Sequence, residues 1–214
     1  MMDTPAIERR VGAYYAGRIE DHGATPEGVD WNSEESQRLR FRQLLKVAPP
    51  AGGFSLNDYG CGYGALLDFL DAGDTPVRYH GYDLCPAMIA SARDRHGDQR
   101  PDASFGDRAQ DLPVADVTVA SGIFNVLAGA DESSWCDYVW DTTRLMAEHS
   151  RQGIAFNMLT TYSDWMSPEL YYADPLQVFD WCKRELSRHV ALLHDYGLYE
   201  FTVIVRFDAD RRAS

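Results

Sequence analysis

The stretch Asn57 to Leu66, NDYGCGYGAL, sets Gly60, Gly62 and Gly64 between a strand-like SLNDYG and a helix-like ALLDFLDAG. Glycines at a strand-to-helix turn let the backbone come close to a ligand and leave the helix amides facing it. The same residues satisfy G-x-G-x-x-A through Gly60, Gly62 and Ala65, so a nicotinamide or flavin protein is one reading of the turn. Asp83 ends the next strand pattern, RYHGYDL, where a carboxylate can accept hydrogen bonds from both hydroxyls of a ribose. The turn therefore announces a nucleotide without saying which one.

Outward from this turn, strand and helix patterns alternate: a helix at PAMIASARDRHG, a short strand near ASFGD, a strand at DVTVASG, a helix at SSWCDYVWDTTRLMAEHS and a strand at GIAFNMLT. That alternation predicts a mostly parallel sheet. A helix at PLQVFDWCKRELSR follows, and HVALLHDYGLYEFTVIVRF ends the pattern with two apolar runs around a DYG turn, which predicts a hairpin and an antiparallel last strand. Upstream, APPAGGF separates a polar helical region from this core, and SEESQRLRFRQLLKV, a serine followed by glutamates, reads as a capped amphipathic helix of capping-box type. The expectation is one domain over 1–214, with a helical N-terminal cap over 1–52 and a Rossmann-like seven-stranded core over 53–214.

With 214 residues and 45% of them hydrophobic, the chain is long enough for one core. Its 33 acidic and 20 basic residues give a net charge of -13, which repels phosphate backbones and anionic membranes and argues against nucleic acid or membrane partners. Four scattered cysteines without C-x-x-C or zinc spacing, and an N-terminus without an apolar signal core, predict a soluble cytoplasmic protein.

The motifs together are more specific than any one of them. Asp58-Tyr59-Gly60-Cys61-Gly62-Tyr63-Gly64 has the form acidic-x-G-x-G-x-G, Asp107 follows the third strand in GDRAQDLP, and Ala120 to Val126, ASGIFNV, ends the fourth. From Ser55 to Phe207 this order resembles the class I S-adenosylmethionine-dependent methyltransferases. The resemblance implies S-adenosylmethionine as cofactor and S-adenosylhomocysteine as product. It also implies a cofactor set of Asp58, Gly60, Cys61, Gly62, Asp83, Leu84, Met88, Gly106, Asp107, Arg108, Ser121 and Gly122, with Asp58 near the methionine end, Asp83 at the ribose hydroxyls, Asp107 near the adenine amino group and the Ala120 to Val126 segment beneath the sulfonium. Tyr14 and Tyr15 resemble the N-terminal tyrosines that close over the cofactor, with Arg42 meeting its carboxylate.

Acceptor contacts are expected from the carboxyl ends of the strands and from the cap: Tyr14, Trp31, Asn125, Tyr162, Tyr171, Tyr172, His194 and Tyr196. His194 is the candidate general base and Tyr162 a second catalytic candidate, although a brace for the hairpin turn is the plainer role for this histidine. The long stretch from Thr161 to Asp174 is expected to form a lid. No metal is expected, because Asn125 and Asn157 stand where catechol-type relatives place carboxylates. The function that follows is metal-independent O- or N-methylation of a small molecule by a monomer or homodimer. An NAD(P)-dependent Rossmann reductase, a non-catalytic S-adenosylmethionine binder, and another use of S-adenosylmethionine are the alternatives.

Overall fold

The computed structural model describes residues 3–31, 33–50, 52–97 and 100–208. The outer limits of the expected domain, 1–2 and 209–214, and Ala51 near the expected boundary between cap and core lie outside the described residues. Helix α1 (Thr4–His22) starts at Asp3, whose side chain accepts from the Ala6 amide at 2.9 Å, and stops at Gly23 with φ +66°. After a short 3-10 turn (Glu27–Val29) comes helix α2 (Glu34–Leu44). Ser33 caps α2 by accepting from the Ser36 amide at 3.1 Å, and the Ser36 hydroxyl donates back to the Ser33 carbonyl at 2.9 Å. The position three residues after the cap is thus a serine, which corrects the expected capping box: no glutamate occupies the place that would close it.

The core follows the expected alternation: β1 (Phe54–Tyr59), α3 (Ala65–Ala72), β2 (Val77–Tyr82), α4 (Pro86–His96), β3 (Ala103–Gly106), β4 (Ala115–Ala120), α5 (Glu132–Glu148), β5 (Ser150–Leu159), α6 (Pro175–Glu185), β6 (His189–Leu193) and β7 (Glu200–Arg206). They form one seven-stranded sheet in the order β3-β2-β1-β4-β5-β7-β6. β7 runs antiparallel to both β5 and β6, while the other pairings are parallel. This is the Rossmann-like sheet with an antiparallel last strand.

Apolar residues bury both faces of the sheet. Leu44 of α2 and Leu66, Leu67 and Leu70 of α3 pack with Leu56 and Val117 in one cluster. Ile7 and Val11 of α1, Trp135 and Tyr138 of α5, and Val178 of α6 pack with Phe156 and Phe201 in the other. The strand order reverses between β1 and β4, so a crevice opens at their carboxyl ends, where open α/β sheets bind ligands. The two helices that precede β1 contribute to opposite clusters, and the segment joining them, with Val29 and Trp31, meets the turns at that crevice.

Candidate active site

The glycine turn is tied to the end of the neighbouring strand. The amides of Gly60 and Cys61 donate to the Tyr82 carbonyl at 2.7 and 2.9 Å, and the Gly62 amide donates to Asp83 Oδ2 at 2.8 Å. Asp83 Oδ1 accepts from the Cys85 amide at 2.9 Å, and the Asp83 amide donates to the Gly106 carbonyl at 3.2 Å. Each Asp83 oxygen keeps acceptor capacity beyond these bonds. Close approach explains two of the glycines: a Cβ on Gly60 would lie 2.2 Å from Ile123 Cγ2, and one on Gly122 would lie 2.2 Å from Trp31 Cη2, with both residues at positive φ.

Around this turn lies a cavity bounded by the glycine turn, the ends of β2 and β4 and the cap. Its charged lining consists of Asp58 and Asp83; no lysine, arginine or histidine lines it among the described residues. Tyr15, Trp31, Phe41, Tyr59, Tyr63, Tyr82 and Tyr138 supply aromatic wall. Burial pushes the Asp58 carboxyl up to about 7, against a 2.6 Å hydrogen bond from the Tyr79 hydroxyl that pulls it down, and nearby Asp83 pushes it further up. Burial likewise pushes Asp83 up to about 6, opposed by the amides of Cys85 and Gly62. Ser121 lines the cavity, and its Oγ is buried without a hydrogen-bond partner.

Eleven of the expected residues converge here: Tyr15, Trp31, Asp58, Gly60, Cys61, Gly62, Asp83, Leu84, Met88, Ser121 and Gly122. Gly106 stands behind them, acting through its carbonyl on Asp83. Asp107 and Arg108 are exposed, with Arg108 on Asp111 at 3.3 Å, and neither lines the cavity. Arg42 is also exposed; the arginine that α2 turns inward is Arg40, because residues 37, 40, 41 and 44 share the buried stripe of the helix. Tyr14 lies at the surface outside the cavity.

The expected acceptor group after β5 and β6 is not brought to the cavity. Tyr162 is 66% exposed with its ring 5.9 Å from His194, and His194 lies beyond the end of edge strand β6, 6.0 Å from the Phe201 ring. The His194 ring thus lies between those of Tyr162 and Phe201, away from the cavity. Tyr196 bonds Thr202 at 2.8 Å, Tyr171 meets Cys136 Sγ at 3.1 Å, and the Tyr172 hydroxyl accepts from the Ser167 amide at 3.0 Å. The Thr161 to Asp174 segment is fastened to the chain after β4 instead of covering the cavity. The Leu127 amide donates to the Glu169 carbonyl at 3.0 Å, and the Tyr171 amide to the Asn125 carbonyl at 2.8 Å. Asn125 is buried there with its Oδ1 unpartnered, outside the lining.

The sequence reading missed Val11, Val29, Gln37, Phe41, Tyr59, Tyr63, Tyr82, Ile123 and Tyr138. For Gln37 and Phe41 a signal existed, since they sit four apart on the inward stripe of α2. Tyr59, Tyr63 and Ile123 stand inside the quoted motifs and Tyr82 adjoins Asp83, whereas Val11, Val29 and Tyr138 needed the tertiary fold.

A buried polar chain joins cap to sheet beside the cavity. The Arg40 guanidinium lies 3.8 Å from the Trp31 ring centroid and donates through Nε to both Glu200 oxygens at 2.8 and 2.9 Å, with a further Nη2 contact. Asn157 Nδ2 donates to Glu200 Oε2 at 2.5 Å, and Asn157 Oδ1 accepts from the Gly122 amide at 2.8 Å. Trp31 rests on that same Gly122, which closes the circuit.

No protein-family model matches the chain. It is 48% identical over 164 residues to "Putative methyltransferase Rv1506c" of Mycobacterium tuberculosis, covering 76% of this chain and 98% of that protein. Among solved structures it resembles phosphoethanolamine N-methyltransferase 2 of Haemonchus contortus in complex with S-adenosylhomocysteine, at TM-score 0.57 and 15% identity over 90% of this chain and 46% of that one. It also resembles the small RNA methyltransferase HEN1, at TM-score 0.57 and 16% identity over 79% of this chain and 25% of that one. These two share the fold and differ in acceptor. Identity of 48% along nearly the whole of a methyltransferase, on this strand order, makes the chain a member of the class I S-adenosylmethionine-dependent methyltransferase family.

Proposed function

We propose that the cavity binds S-adenosylmethionine and that the enzyme methylates an oxygen or nitrogen of a small molecule without a metal ion. The observation that carries this reading is the charge of the lining: two carboxylates, the buried Asp58 and the half-buried Asp83, and no cation among the described residues. A pyrophosphate would be repelled by such a wall, whereas a cationic ligand with a ribose is matched by it. In this reading Asp83 holds the ribose hydroxyls and Asp58 the ammonium of the methionine end, both from the cavity wall. Once bound, the cofactor supplies a methyl group already activated by a sulfonium. The chain's own contribution is then to orient the nucleophile and exclude water. The cap does the second of these, with Val29 and Trp31 set against the glycine turns.

A small acceptor fits a chamber walled by the cap and by aromatic side chains better than a polymer does, and the net charge of -13 opposes a polyanion. Metal independence is supported by Asn157, whose amide is committed at both ends to Gly122 and Glu200. Cys61, Cys85, Cys136 and Cys182 are free thiols, and no described helix is long and apolar enough to cross a membrane; both suit a cytoplasmic monomer or homodimer.

The test is calorimetric titration with S-adenosylmethionine and S-adenosylhomocysteine beside NADH and NADPH, repeated on Asp83→Asn. The expected result is binding of the sulfur nucleotides alone, near -8 kcal/mol for roughly micromolar affinity, weakened at least about tenfold in the variant. Binding of the dinucleotides, or of none of the four, would sink the reading. An acceptor panel read by product mass then tests the small-molecule assignment.

A further inference from the structure

We propose that His96 is a positioning residue for the cofactor: from the far end of α4 its imidazole holds the Gly64 carbonyl and so fixes the direction of the first amide of α3 beside the cavity. The inference rests on the cavity being the S-adenosylmethionine site.

His96 is the last residue of α4, and its side chain is 5% exposed. Its ring stacks on that of Phe105 in β3, with centroids 5.6 Å and planes 22° apart, and its Nε2 lies 3.0 Å from the Gly64 carbonyl oxygen. A carbonyl only accepts, so Nε2 carries the proton and the imidazole donates. Asp68 Oδ1 stands farther off, at 3.8 Å, and Asp68 Oδ2 is taken by Arg95 Nε at 2.7 Å. The bond of the buried imidazole thus goes to the backbone of the glycine turn, not to its acidic neighbour. The same ring explains the third glycine of the turn: a Cβ on Gly64, at φ +85°, would lie 2.7 Å from His96 Nε2 and 2.8 Å from its Cδ2.

In the trans peptide between Gly64 and Ala65 the carbonyl and the amide N–H point in opposite directions. Holding the oxygen toward His96 therefore turns the Ala65 N–H away from it, and Ala65 and Leu66 line the cavity. Asp83 ties the strand side of the turn by accepting from the Gly62 amide at 2.8 Å; His96 ties the helix side, where Gly64 has no side chain to hold its own peptide. Helix α4 thus reaches the site twice, through Met88 of its first turn in the lining and through His96 behind the turn. Histidine is a costly choice for stacking alone, since a buried ring nitrogen without a partner is penalised; the bond to Gly64 is what offsets that cost.

The experiment is calorimetric titration of the full chain and of three His96 variants with S-adenosylhomocysteine, beside urea unfolding of each. A glutamine amide can present an N–H near the place of Nε2, whereas asparagine is one methylene too short. His96→Gln should bind within about twofold of the native protein, and His96→Asn and His96→Leu about three- to tenfold more weakly, the fold-change of one hydrogen bond. His96→Leu keeps an apolar contact with Phe105, so it separates the donor from the packing; if it does not fold, the glutamine and asparagine variants decide alone. Affinity unchanged in every folded variant, a loss in His96→Gln as large as in His96→Asn, or a loss that follows the urea midpoint instead of the donor overturns the role of His96 while the cofactor site stands. Failure of the native protein to bind S-adenosylhomocysteine overturns the reading of the cavity instead.

Discussion

Asp58 is the residue whose protonation matters most for binding. Its folded value of about 7 against an ordinary 3.8 means that the folded protein holds a proton there which the unfolded chain has lost. Its contribution to stability is therefore present at acidic pH and is lost as pH rises through the folded value. A cationic ligand needs the ionised form, so affinity for S-adenosylmethionine should fall as pH drops from about 8 to about 6, with proton release on binding near neutrality. Asp83, at about 6, acts in the same direction. Tyr79→Phe removes the hydrogen bond that holds Asp58 down and should move the midpoint to higher pH. Calorimetry in buffers of different ionisation enthalpy checks both expectations, and affinity that stays flat across this range refutes them. The identity of Asp58 was legible from its place two residues before Gly60. Its hydrogen bond to Tyr79 was not, because the pairing crosses from β1 to β2 and no local pattern encodes it.

Helix α2 is joined to the sheet by a buried ion pair. Arg40 is 7% exposed and Glu200 1%, so removing one partner strands a charge in the interior. Glu200→Gln should cost about 3 to 5 kcal/mol in urea unfolding, and Arg40→Met with Glu200→Gln should recover much of that loss. A single variant that costs less than about 1 kcal/mol would show that the pair is solvated in solution. The circuit also sets Trp31. Its amide donates to the Pro26 carbonyl at 2.8 Å, and Arg18 fixes the preceding turn by meeting Asp30 at 2.7 Å and donating to the Glu27 carbonyl. At this scale the strands and helices of the core were readable from periodicity. What escaped reading was the orientation of α2, since Arg40 and Arg42 look alike in sequence and only the packing of Leu44 and Phe41 against the sheet turns one inward.

At the scale of the molecule, the charge of -13 and the aromatic-walled cavity bear on the acceptor. Under about 0.15 M salt, a gel shift with unstructured RNA should show no complex at protein concentrations on the order of 10 µM, where nonspecific basic binders are retained. A retained complex would move the acceptor class toward nucleic acid. Tyr162, Trp165, Met166 and Tyr199 remain exposed around the end of β5, with the Tyr199 hydroxyl on Asp164 at 2.6 Å. Tyr162 is the one member of that cluster expected to contact the acceptor, and the fold sets it apart from the cavity. By itself the sequence determined the sheet class, the antiparallel last strand, the glycine turn and the carboxylate at the end of β2, because each follows from local periodicity or from fixed spacing along one element. Only the tertiary structure decided which cap residues line the cavity, that no cation lines it among the described residues, and that His194 and the tyrosines after β5 stand outside it. Those outcomes depend on how segments far apart in the chain pack against one another, and hydrophobic patterning specifies which face of a helix is buried without naming the neighbour it meets.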